Sequence, residues 1–125
     1  MSRFDIPSVR AAWWALGATR RARRAITLPD FSAHPLPPPP MLPAKATHAV
    51  HAVLRRRGAT CLMRSLVLQT WHAAQGQPRD LVIGVTPPGG DFKAHAWLDG
   101  DPPCEHEGFI ELLRRPAGPG SRSTG

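Results

Sequence analysis

Thr60-Cys61-Leu62 opens an apolar run at helical spacing, and Phe92-Lys93-Ala94-His95-Ala96-Trp97 opens a strand-like run further along the chain. The helix is expected to start at Thr60, a side chain that caps backbone N–H groups, and to stop at Gly76 after about Ala74. A thiol in the first turn of a helix feels the positive end of the helix dipole and unpaired backbone N–H groups, both of which favour negative charge on sulfur. An imidazole on a neighbouring strand can hold the thiol proton and later return it. Cys61 and His95 therefore read as a nucleophile and base, and the chain as a cysteine-nucleophile enzyme acting on a peptide.

Alternation along the second run puts His95 on one face with Trp97 and Asp99, and Ala94, Ala96 and Leu98 on the other. The two alanines leave room for another element to approach, so a helix 60–74 packed across the sheet would let Cys61 and His95 meet. A third group should orient the imidazole through its second nitrogen. The tight-turn signal Asp99-Gly100 is expected to fold a return segment, from about Pro103 to Ile110, back beside His95. Counting symmetrically about the turn puts residues 104 to 108 there. Glu105 is the first candidate, then Glu107, then Asp99; one shift of register changes which faces inward.

The remaining elements follow from periodicity. Residues 8 to 28 read as a first helix, with Val9, Ala12, Trp13 and Leu16 recurring at helical spacing and the Trp13-Trp14 pair packing on the rest of the fold. An amphipathic segment lying on a membrane surface is the competing reading. Residues 29 to 43 hold Pro29, Pro35, Pro37 to Pro40 and Pro43, which favour an extended connector. Ala46, Ala49, Val50, Val53 and Leu54 mark one side of a second helix that Gly58 ends. Helix 60–74 is apolar nearly all round, as central helices are. Leu81-Val82-Ile83-Gly84-Val85 is a strand suited to a sheet interior. The chain divides into 1–43, helix and connector; 44–116, a compact core; and 117–125, a Gly, Pro, Ser and Arg tail expected to be disordered.

Composition narrows the partners. The 125 residues suffice for one modest core, and 16 Lys+Arg against 9 Asp+Glu give a formal charge of +7. Lys45 and Lys93 are the only lysines, so the excess lies in arginine runs at 20–24, 55–57 and 114–115. Such a surface attracts anions, yet zinc-finger spacing, basic-aromatic ribonucleoprotein motifs and tyrosine are all missing, which argues against nucleic acid. Ala11 to Ala18 is too short to span a bilayer. Cys61 and Cys104 carry no mark of secretion, so reduced thiols and a cytoplasmic setting are expected. Cys104, His106 and the nearby glutamates resemble metal ligands, as do His48 and His51 one helical turn apart. No paired Cys or His spacing supports zinc, and a solvated helix face suits His48 and His51 better. No cofactor is expected.

The elements Cys61-Leu62-Met63-Arg64-Ser65-Leu66, Leu81-Val82-Ile83-Gly84-Val85 and Phe92-Lys93-Ala94-His95-Ala96-Trp97-Leu98-Asp99, in that order, resemble the B2 proteins of lasso-peptide biosynthesis. These are small transglutaminase-like, papain-like cysteine proteases, and the resemblance covers roughly residues 44 to 115. It implies an α+β fold with helices packed on a small antiparallel sheet and the nucleophilic cysteine at a helix N-terminus. It implies removal of the leader segment from a ribosomally made precursor, with Cys61 matching the nucleophile and His95 the base. The family's third member is an Asp on the strand after the His; no Asp follows Asp101 here, so Glu105 is the substitute, or the pair works as a dyad. Implied partners are the precursor peptide, a separate leader-recognition protein and an asparagine-synthetase-like macrolactam synthetase, to which ATP use is assigned. A non-catalytic leader-binding module and a transglutaminase-type acyltransferase are the alternatives.

Overall fold

A computed structural model describes residues 6–27, 36–103 and 106–117. Cys104, Glu105 and the tail from 118 onward lie outside the described residues. Within them the order is α1 (Ile6–Ala25), a 3-10 turn (Ala44–Ala46), α2 (Thr47–Arg56), α3 (Cys61–Ala74), then β1 (Leu81–Val85), β2 (Ala94–Leu98) and β3 (Ile110–Arg115). The fold is α+β, with helices packed on a three-stranded antiparallel sheet of order β2-β1-β3.

Helix α3 occupies the centre because its apolar side chains cover most of its circumference. Met63, Leu66, Val67, Leu68 and Trp71 are all buried, and they share one cluster with Ala15 and Ala18 of α1, Val50 and Leu54 of α2, Leu81 of β1 and Leu98 of β2. Even the polar member of this wall is built in. Gln69 is buried, and its amide donates to the carbonyls of Arg79 (3.0 Å) and Arg115 (2.9 Å) while accepting from the Arg115 guanidinium. A buried amide is tolerated only when paired in this way. Here the pairing pins the start of β1 and the end of β3 to the helix.

The first helix meets this core along a different stripe from the one its large residues suggested. Ala11, Trp14, Ala15, Ala18 and Ala22 are buried, whereas Val9 is exposed and Trp13 is 77% exposed. Alanines let helix backbones approach closely, so the small-residue stripe wins the interface and Trp13 is turned outward. Trp14 alone of the pair packs inward, against Trp71 at 5.6 Å, and donates its indole N–H to Pro37 O at 3.0 Å. The proline connector is further held by Gln75, which donates to Pro40 O and accepts from the Leu42 amide.

The sheet corrects the expected return segment. Among the described residues no strand pairs with β2 after the turn at Gly100 (φ +100°), although the segment does return beside His95; β3 pairs with the far edge of β1 instead. Pro102 and Pro103 have no amide hydrogens and cannot ladder onto β2. The chain passes over the Trp97 face, where His106 stacks on Trp97 at 4.6 Å and Phe109 lies 5.3 Å from His95. Trp97 in turn fills the space beside Gly84, where an added Cβ would sit 2.7 Å and 2.9 Å from its ring carbons. Arg114 closes the end of the sheet by binding Asp80, Asp99 and Glu111.

A methyl group at Gly84 must displace a buried indole. Gly84→Ala is expected to destabilise the fold by roughly 1–3 kcal/mol, measured by urea denaturation; an unchanged midpoint would contradict this packing.

Candidate active site

Local sequence places Cys61 at the mouth of α3. Gly58 adopts φ +62° and ends α2, letting the Ala59 amide reach back to Leu54 O at 3.0 Å. Thr60 is extended; its hydroxyl accepts from the Met63 amide at 3.3 Å and its carbonyl from the Arg64 amide at 2.9 Å. The amides of Cys61 and Leu62 make no hydrogen bond to a described residue. Cys61 is therefore a free, half-buried thiol beside two open backbone donors at the positive end of a helix.

His95 is the second residue of β2, opposite Gly84. Its half-buried ring rests on Trp97 (5.8 Å between centroids) and Phe109 (5.3 Å). The core-facing side of the sheet, carrying Leu81 and Leu98, is the one α3 covers, so His95 and Trp97 belong to the opposite face. Among the described residues the Cys61 thiol and the His95 ring share no hydrogen bond.

The two are related through a cavity of about 220 Å³ along the free edge of β2. Arg64, Ser65, Leu68 and His72 form its helical wall, and His95 to Leu98 its strand wall. Positions 61, 65, 68 and 72 fall on one stripe of a helix, so Cys61 lies one turn before the part of α3 that lines the cavity.

The acidic candidates separate. Glu105 lies outside the described residues, Glu107 is exposed, and Asp99 is engaged by Arg114 at 2.6 Å. The carboxylate that does reach the cavity is Asp101, which accepts from the Leu98 amide at 3.0 Å and lies 3.8 Å from Arg79. Its only signal in the sequence is its place just after the Asp99-Gly100 turn, where a short carboxylate can cap the strand end.

His51, from α2, and His72 also line the cavity. The pair His48 and His51 is therefore split: His48 is exposed and bonded to Lys45 O, while His51 turns inward. Burial, then the charges of Arg64 and Arg55, hold His51 below the ordinary imidazole range; burial and Arg79 do the same for His72. No group of three or more metal-ligating side chains gathers among the described residues, and none of their helices is long and apolar enough to cross a membrane.

The family model described as the transglutaminase-like superfamily matches residues 6–114. The chain belongs to that superfamily, which includes cysteine peptidases and acyltransferases and is typically enzymatic. No curated protein and no solved structure matches it.

His51 and His72 bind protons less readily folded than unfolded, so stability is fully present above the ordinary imidazole value of about 6.5 and is lost as pH falls through their lowered values. The denaturation midpoint of wild type is expected to drop more steeply below that pH than that of a His51→Gln/His72→Gln protein. Parallel curves would contradict the placement of these rings.

Proposed function

We propose that this chain is a cysteine peptidase that removes the leader segment from a ribosomally synthesised lasso precursor peptide through a Cys61 thioester. The observation that carries the reading is a free thiol beside two open backbone amides, at the head of a helical wall whose opposite side includes His95. Membership of the transglutaminase-like superfamily supports the cysteine chemistry. The lasso assignment draws on the resemblance of the Cys61–Leu66 and Ala94–Asp99 segments to B2 proteins.

The steps follow from the groups present. His95 takes the Cys61 proton, and the sulfur attacks the scissile carbonyl carbon. The oxyanion accepts from the Cys61 and Leu62 amides. His95 then protonates the leaving amine as the C–N bond breaks, and water, activated by His95, hydrolyses the thioester and restores the thiol. For this, substrate entry must shift the β2 edge so that the imidazole leaves its seat on Phe109 and comes round the strand to the mouth of α3; contacts of this kind commonly tighten only in the substrate complex. Glu105 remains the carboxylate assigned to orient His95, since Asp99 is committed to Arg114. A separate leader-recognition protein presents the precursor, and a macrolactam synthetase resembling asparagine synthetase consumes the freed core peptide with ATP.

One observation favours a non-catalytic leader-holding module: the His95 ring is seated on aromatic neighbours rather than on the thiol. Acyl transfer to an amine would pass through the same thioester. Precursor, recognition protein and this chain, followed by mass spectrometry, separate these outcomes. Cys61→Ala is expected to abolish leader release, His95→Ala to slow it by a factor of ~10³ or more, and Glu105→Gln to slow it less. Processing by Cys61→Ala would overturn the peptidase; a product carrying an added amine in place of water would mark a transferase.

A further inference from the structure

One turn of α3 beyond Cys61, the cavity holds more positive charge than its own carboxylate answers. Arg64 and Arg79 both line it, against Asp101 alone. The Arg64 side chain makes no ion pair or hydrogen bond with a described residue. Arg79 reaches Asp101 only at 3.8 Å, beyond hydrogen-bond length. The second Asp101 oxygen is held by the Leu98 amide. Two guanidinium groups thus border one partly open cavity, Arg64 at its exposed rim and Arg79 half-buried, an arrangement that a carboxylate can satisfy by paired hydrogen bonds. The same field reaches the histidines, since Arg64 and Arg79 each disfavour a proton on a neighbouring ring. As neutral rings, His51 and His72 can still donate one N–H each.

We infer that this cavity is a subsite for an acidic side chain of the peptide substrate, its carboxylate held between Arg64 and Arg79 while the neighbouring backbone lies across the mouth of α3. The inference rests on the peptidase reading for the identity of the substrate, but the site itself depends only on the cavity. A volume of about 220 Å³ accommodates an aspartate or glutamate side chain and leaves Ser65 and Leu68 as its floor. Asp101 limits the charge and rejects a second carboxylate, which sets the site apart from the open arginine runs of the surface.

The test uses the full chain carrying Cys61→Ala, so binding is read without turnover. Histidine ring resonances are followed by NMR during titration with N-acetyl-glutamate N-methylamide, with the glutamine analogue as neutral control and inorganic phosphate as a competing anion. Saturable shifts of His51 and His72 with the glutamate probe are expected, at least ~10-fold weaker with the glutamine probe, the loss that follows removal of a charge-assisted hydrogen bond. An Arg64→Gln/Arg79→Gln protein should lose the response while keeping its dispersed amide spectrum. Should that variant fail to fold, the comparison of the two probes on the parent still decides. Equal responses to both probes, no response, or a response to phosphate alone would overturn the subsite. None of these outcomes bears on whether Cys61 forms a thioester, so failure of the subsite and failure of the peptidase remain distinguishable.

Discussion

The fully buried indole of Trp71 is the contact on which the other elements converge. Its N–H donates to Thr47 Oγ1 at 3.0 Å, fixing the start of α2, and its ring lies against Trp14 of α1. Residues 66 to 68 of the same helix meet the sheet, and Gln69 joins the start of β1 and the end of β3 to the helix. Removing a tryptophan from such a position typically leaves a cavity costing ~3–5 kcal/mol, a large part of the stability of a domain this small. With α3 held on three sides, its N-terminal residue has little freedom. The Cys61 thiol is therefore positioned by packing nearly three turns away, more than by contacts of its own.

The same rigidity explains the division of labour at the site. Cys61 and its open amides belong to the fixed helix, whereas His95 belongs to an edge strand whose outer face is covered by a crossing segment rather than by another strand. A ring on an edge strand can turn without breaking sheet hydrogen bonds. The Gly84–Trp97 contact and the Arg114 ion pairs also tie the strands together. In the proposed reading the nucleophile thus sits on the fixed helix and the base on the edge strand.

How much of this was legible in the sequence depended on whether local or distant partners decide. Thr60, Gly58 and Gly76 act within one turn of themselves, and the ends of α2 and α3 fall where those residues place them. Leu81–Val85 is a strand by its own composition. The burial of α1 was not legible, because a stripe of alanines and a stripe of larger residues both fit helical spacing and only the surface of α2 and α3 chooses between them. The position of β3 was likewise hidden. Asp99-Gly100 signals a turn correctly, yet the absence of donors at Pro102 and Pro103 diverts the chain, and Gln69 and Arg114 anchor the next strand from elements distant in sequence. At the candidate site, Cys61 and His95 stood out by type and context. Arg64, Arg79 and Asp101 did not, since each reads alone as an ordinary surface charge.

The claim on which the functional account turns is that Cys61 is activated with the help of His95. Iodoacetamide labelling of Cys61 and Cys104 across pH 5 to 9, mapped by mass spectrometry in wild type and His95→Ala, measures it without a substrate. An active pair gives rapid labelling of Cys61 at acidic pH, ahead of Cys104 and slowed in the variant. Equally slow labelling of both cysteines, unchanged by His95→Ala, would contradict it.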